Sequence, residues 1–305
     1  MEALALADTP RPIGRTSLRA FPIAYGCWRF AGSSVAAARA KIEAALDVGI
    51  NLFDHADIYG GQGAAEELFG RVLEDAPELR QRMLLATKGG IVVGVPYDSS
   101  AAHLARAVEG SLRRLRADVI DLYQIHRPDL LAHPEEIAAV FTRLREEGKI
   151  REVGVSNYTP AQTTTLQAFL PFPLATSQPE ISCWWLEAFR DGTLDLCLRE
   201  RLTVLAWSPL AGGKLGLSAE AAARETNGDR LAALIRKLDE LANREAVPRS
   251  AVALAFLLAH PANILPILGT QQPERIRESA AALRVHLTRE DWYAIFAASQ
   301  GKPHP

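Results

Sequence analysis

The chain has 305 residues, 48% of them hydrophobic, with 34 lysines and arginines against 36 aspartates and glutamates and a formal net charge of −2. Length and apolar content suffice for one large α/β domain or two ordinary ones, and the balanced charge offers no electrostatic footprint for nucleic acid or an anionic membrane surface. A small-molecule or protein partner is favoured instead.

The opening stretch, MEALALADTPRPIGR, has no basic segment leading into an apolar one, and residues 1–14 read as a flexible extension of a single domain. No apolar run approaches the ~20 residues needed to cross a bilayer, so the protein is expected in the cytoplasm. Cys27, Cys183 and Cys197 are odd in number and widely separated, which suggests free thiols rather than disulfides or a zinc site. A hairpin is expected near residues 15–22.

Short apolar runs then recur about every 30 residues: IAYGCW (23–28), INLFD (50–54), MLLATK (83–88), VIDLYQIH (119–126), and onward EVGVSN, ATSQPE, VLAWSP and ILPILG. Each is short, rich in Val, Ile, Leu, Phe or Tyr and bounded by polar or turn residues, as befits a strand buried on both faces. Between them lie amphipathic segments. In residues 33–49, Val35, Ile42 and Leu46 share a face and Gly49 ends the helix. In residues 100–118, Leu104, Val108, Leu112 and Leu115 do the same. Residues 213–228 read as a long polar connection, and LTREDWYAIFAASQ as a final helix whose Thr288 and Asp291 suit a capping box. Eight even alternations of strand and helix specify a (β/α)8 TIM barrel in preference to an open sheet.

In such a barrel the C-terminal strand ends and the loops after them build the active site. The residues at the ends of the second to eighth runs are therefore informative: Asp54, Lys88, His126, Ser156 with Asn157, Gln178, Trp207 with Ser208, and Gly269 with Thr270. Chemistry gathers on one face.

Several of these stretches, D-x-x-x-x-Y (Asp54 to Tyr59), ATK (86–88), QIH (124–126), GVSNY (154–158), AWSPLAGG (206–213) and GTQQPERI (269–276), together resemble the aldo-keto reductases from about residue 15 to the end. The similarity is greatest to a bacterial branch that carries D-H-A-D-I-Y-G-G and H-R-P-D. The resemblance implies reduction of an aldehyde or ketone by NAD(P)H, with a catalytic set of Asp54, Tyr59, Lys88 and His126. It also implies that Ser156, Asn157 and Gln178 hold the nicotinamide carboxamide, that Trp207 stacks on the ring, and that Ser208, Leu210, Gly212 and Lys214 lie along the pyrophosphate. Gly269, Thr270, Arg275, Glu278 and Ser279 fall at the adenosine end. Gly269 stands where many NADP-preferring members have a lysine, and Ser279 where Asn is common; Arg275 keeps a planar fork suited to phosphate, so NADPH is expected, with NADH also possible.

Elementary chemistry supports these roles. A phenol with pKa near 10 gains acidity beside an ammonium, which Lys88 supplies, while Asp54 holds that ammonium charged. His126 binds the carbonyl oxygen on which negative charge develops. Trp28 and Phe30 after the first strand, with Trp184 and Trp185 after the sixth, form an aromatic lining that suits an apolar or aromatic carbonyl better than a sugar phosphate. No G-x-G-x-x-G follows a first strand, so a Rossmann site is unsupported.

Three other readings share these residues. His55 and Asp57 form an H-x-D pair that a metal-dependent hydrolase would use, although His55 is read first as structural. A regulatory nucleotide-binding subunit of the same family would turn over slowly. A Schiff-base aldolase would use Lys88, against which Asp54 works by favouring the charged amine.

Overall fold

A computed structural model describes every residue except Met1, Ala7 and residues 303–305. A two-stranded antiparallel hairpin, β1 (Arg11–Pro12) and β2 (Arg19–Ala20), precedes eight strands: β3 (Ala24–Gly26), β4 (Leu52–Asp54), β5 (Leu84–Gly89), β6 (Ile120–Ile125), β7 (Ile150–Ser156), β8 (Thr176–Gln178), β9 (Thr203–Ala206) and β10 (Ile264–Leu268). These eight pair in parallel in sequence order, and β10 returns to β3 to close a barrel.

Helices α1 (Val35–Asp47), α2 (Ala64–Asp75), α3 (Ala101–Leu115), α4 (Pro134–Glu146), α5 (Pro160–Phe169) and α6 (Thr193–Glu200) connect successive strands. The last connection carries α7 (Ala219–Ala222), α8 (Gly228–Glu245) and α9 (Arg249–Leu258), and α10 (Pro273–Glu278) and α11 (Arg289–Gln300) complete the chain. The expected polar connection at 213–228 is thus partly helical, because Ser218 caps α7 by accepting from Ala221 N at 3.1 Å.

The apolar periodicity lands where it was expected. Leu104, Val108, Leu112 and Leu115 of α3 are all buried, as are Ile42 and Leu46 of α1. Thr288 and Asp291 form a reciprocal capping box at α11, each side chain accepting from the other's backbone N–H, at 3.1 and 2.9 Å. No helix among the described residues is long and apolar enough to cross a membrane.

The barrel interior has two layers. Below, Ala24, Leu52, Ala86, Leu122, Leu205 and Leu265 meet Ile13, Leu18 and Ala20 from the hairpin, which plugs the N-terminal end. This corrects the reading of residues 1–14 as a flexible extension: Ile13 is fully buried, Gly14 N donates to Thr203 Oγ1 at 2.9 Å, and Ala3 bridges to Thr288. Met1 and Ala7 of that stretch lie outside the described residues. Above, the period of two along a strand returns side chains to the interior one step higher: Leu52 is followed by Asp54, Ala86 by Lys88, Leu122 by Gln124 and Thr176 by Gln178. An apolar floor therefore carries a polar ceiling.

Candidate active site

Parallel registry sets Asp54 opposite Ala86 and Lys88 opposite Gln124, which brings carboxylate and ammonium together inside the barrel. Lys88 Nζ donates to both oxygens of Asp54, at 2.8 and 2.7 Å, with both residues buried. Asp54 Oδ1 also accepts from Gln178 Nε2 at 2.9 Å and from Gln124 Nε2 at 3.5 Å, and Gln124 Oε1 in turn accepts from Thr176 Oγ1 at 3.0 Å. Burial acts to lower the Lys88 pKa, but Asp54, and then Tyr59, outweigh it and hold the ammonium above its ordinary 10.5. A lysine held so firmly protonated is poorly suited to attack a carbonyl as a free amine.

Tyr59 enters from the loop after β4, half-buried, with the Lys88 ammonium 5.1 Å from its ring centroid. Burial pushes its phenol above 10.0, Lys88 pulls it down, and Asp54 pushes it up again. Lys88 acidifies Tyr59 through its charge and a hydrogen bond, as expected from sequence, but burial, helped by Asp54, outweighs it, so the net shift is upward and the phenol rests protonated. The ring meets His126 edge-on, centroids 5.8 Å apart at 82°. Burial, then the charges of Lys88 and Arg127, depress the His126 imidazole to about 2, so it is neutral near pH 7.

Around this centre, Asn157 sits at φ 59° and ties three strand ends together. Its Nδ2 donates to His126 O at 3.1 Å and to Ser156 Oγ at 2.8 Å, while its Oδ1 accepts from Trp207 Nε1 at 3.0 Å. Ser156 Oγ donates onward to Gln178 O at 2.9 Å. After β9 the loop from Ser208 turns through Ala211, Gly212 and Gly213, all at positive φ, and nothing lies within 4 Å of where a Cβ would stand on either glycine. Arg249 braces this loop, donating to Leu215 O and Leu217 O at 3.0 and 2.6 Å while gripping Asp239. Arg275, on α10, is exposed, with no acidic partner among the described residues. Open glycine backbone and an uncommitted guanidinium are the donor set that a dinucleotide's phosphates require.

A sequence profile of the Aldo/keto reductase family matches residues 22–300. The chain belongs to this family. It is 47% identical over its full length, and that of its relative, to a 6-dehydroglucose reductase of Novosphingobium aromaticivorans. It is 39% identical to a 6-dehydroglucose reductase of Agrobacterium fabrum, over 99% of both chains. A glycerol dehydrogenase structure from Gluconobacter oxydans superposes with a TM-score of 0.83, at 28% identity, covering 98% of this chain and 97% of the other. This aldo/keto reductase is an NAD(P)H-dependent oxidoreductase acting on carbonyl compounds.

Within the family frame, several residues singled out from sequence stand elsewhere. Phe30 is fully buried, edge-on to Tyr25 and tilted against Phe69, and belongs to the core rather than to a substrate pocket. Trp184 is half-buried beneath Arg230, whose guanidinium lies 4.0 Å from its ring; Trp28 and Trp185 remain exposed. Ser279 is buried and donates to Ile276 O at 2.6 Å, turning away from the exposed side of α10. Lys214 is paired with Glu225 at 3.3 Å on the surface, and Thr270 O accepts from Tyr25 Oη at 3.1 Å. Leu210, Gly269 and Glu278 lie on the loops and helix end after β9 and β10. All three cysteines are free and buried.

The aldo/keto reductase also holds a buried polar cluster behind the site. Glu66 accepts from Thr87 Oγ1 and from Arg114 Nε, the latter at 2.8 Å, and burial, then Glu66, pushes the nearby Asp57 carboxyl up to about 7. Among the described residues no three His, Cys, Asp or Glu side chains converge on a point that could hold a metal. His55 sits edge-on to Phe69 at 4.5 Å, fully buried, with both ring nitrogens unpartnered. Burial, then the Lys88 charge, lowers its pKa from 6.5 to about 3. A depressed histidine stabilises the fold fully above 6.5 and surrenders that contribution as pH falls through 6.5 towards 3. His55→Phe removes both the two unsatisfied nitrogens and this acid sensitivity. Its Tm should therefore fall less than that of the parent between pH 6.5 and pH 4. Parallel Tm-against-pH curves would contradict this role for His55.

Proposed function

We propose that this enzyme reduces an aldehyde on a small hydroxylated, sugar-like substrate with NADPH, Tyr59 giving the proton. The reading rests above all on one observation: a charged Asp54–Lys88 pair beneath a protonated Tyr59 and a neutral His126, at the open end of the barrel. A general acid that protonates the alkoxide developing on hydride addition must start protonated, and Tyr59 does. A neutral imidazole gives the carbonyl oxygen a hydrogen bond that strengthens as negative charge develops there. Lys88 stabilises the phenolate left behind, and Asp54 keeps Lys88 charged throughout.

NADPH supplies the hydride when bound. Ser156, Asn157 and Gln178 would hold its carboxamide edge and Trp207 its ring. Ser208, Leu210, Gly212 and Lys214 would follow the pyrophosphate, Lys214 being released from a surface pair worth little. Gly269, Thr270, Arg275 and Glu278 would take the adenosine end, with Arg275 on the 2′-phosphate. Relatives named as 6-dehydroglucose reductases support this substrate class. It replaces the apolar or aromatic carbonyl suggested by sequence, since the loss of Phe30 to the core thins the aromatic lining and exposed tryptophan faces also stack on sugar C–H surfaces.

Tyr59→Phe should keep NADPH affinity and lose about 10²–10⁴-fold in kcat, the usual worth of a general acid; single-turnover NADPH oxidation at 340 nm reads this directly. A near-parental rate with chemistry limiting would remove Tyr59 as donor.

Arg275→Ala should weaken NADPH more than NADH by about 10- to 100-fold, the loss of one charge-assisted contact. The ratio of the two dissociation constants, from tryptophan fluorescence at fixed ionic strength, checks it. An unchanged ratio would leave Arg275 without a 2′-phosphate role.

A further inference from the structure

Arg127 follows His126 directly and is half-buried, yet among the described residues its guanidinium makes no hydrogen bond and lies beyond 4.0 Å of every carboxylate oxygen. It is bracketed by side chains from three strand ends. Its Cζ lies 5.9 Å from the Trp207 ring centroid, after β9, and its charge acts on His126, after β6, and on Glu180, after β8. Glu180 is itself half-buried, bridges to Trp207 through the backbone, and likewise has no ion-pair partner among the described residues. Opposite charges near enough to feel each other, yet not closed into a salt bridge, leave donor and acceptor capacity side by side next to Trp207.

A half-buried guanidinium without a partner sacrifices hydration that it must recover from something. The indole face returns part of this by cation–π attraction, and the five N–H donors remain to be used. An anionic substrate would meet Glu180 as well as Arg127 and gain little net attraction. A neutral polyol suits both, since its hydroxyls accept from Arg127 and donate to Glu180.

We propose that Arg127 and Glu180 are specificity-determining residues that read the hydroxyl groups of a polyhydroxy aldehyde whose carbonyl lies at His126 and Tyr59. The assignment rests on the reductase reading above and adds to it the side chains that separate a hydroxylated aldehyde from an apolar one. Neither residue takes part in the proton or hydride transfer.

The test uses two aldehydes of equal carbon number, D-glyceraldehyde and propanal, with succinic semialdehyde as the anionic probe. All are assayed with NADPH and the full-length enzyme. Arg127→Met should lower kcat/KM for glyceraldehyde about 10- to 100-fold more than for propanal, which corresponds to one lost hydrogen bond to a charged group. Arg127→Lys should recover part of the difference, and Glu180→Gln should lower the same ratio. Equal losses on glyceraldehyde and propanal would overturn the assignment while leaving the reductase reading intact. So would a loss confined to succinic semialdehyde, or a weakened NADPH dissociation constant that accounts for the whole effect. Failure of the parent enzyme to oxidise NADPH with any of the three would defeat the reductase reading and the assignment together.

Discussion

The ion pair between Asp54 and Lys88 is the constraint around which the rest of the barrel is arranged. Two full charges stand where solvent is excluded, and each alone would cost several kcal/mol to bury. Together they are tolerable because the geometry is bidentate and because Gln178, Gln124 and Thr176 extend the hydrogen-bond chain from Asp54 Oδ1 across two further strands, β6 and β8. Such a pair is weak evidence of stability, since a well-packed apolar pair commonly does as well. Its retention is explained by what it does to Tyr59.

The pair is charged but nearly neutral as a unit. Seen from Tyr59, the pull of Lys88 and the push of Asp54 oppose each other, and burial keeps the phenol protonated. Seen from His126, burial and two cations remove the imidazolium form. The centre thus holds one proton ready to give and one neutral hydrogen-bond donor. In the proposed reaction the Lys88 ammonium, 5.1 Å from the Tyr59 ring centroid, stabilises the phenolate. Asn157 fixes this arrangement mechanically, because one left-handed residue bonds to His126 O, Ser156 Oγ and Trp207 Nε1 at once.

The barrel and the polar layer at its open end were legible because both rest on short-range rules. Strand periodicity dictates that a polar residue two positions after a buried Leu or Ala faces the same interior, which is how Asp54, Lys88 and Gln178 reach one layer; Gln124 obeys the same rule and was passed over inside its motif. What stayed hidden depends on long-range packing. Phe30 is core because Tyr25, Phe53 and Phe69 surround that part of the first loop. Arg249 braces a loop more than thirty positions away. The hairpin begins at Arg11, earlier than the expected 15–22, and Ile13 in its turn packs into the floor of the barrel. The sign of the shift at Tyr59 also needed coordinates, since it turns on how two opposite charges and burial balance at one oxygen.

The central claim is that Asp54 and Lys88 each depend on the other to be tolerated in the barrel interior, and a double-mutant cycle in urea unfolding tests it most directly. Asp54→Asn and Lys88→Met should each cost about 3–5 kcal/mol by leaving the other partner buried and uncompensated. The double variant should cost clearly less than the sum, because it leaves no uncompensated charge. Additive losses across the cycle would mean that the two residues are held independently, and would contradict the account.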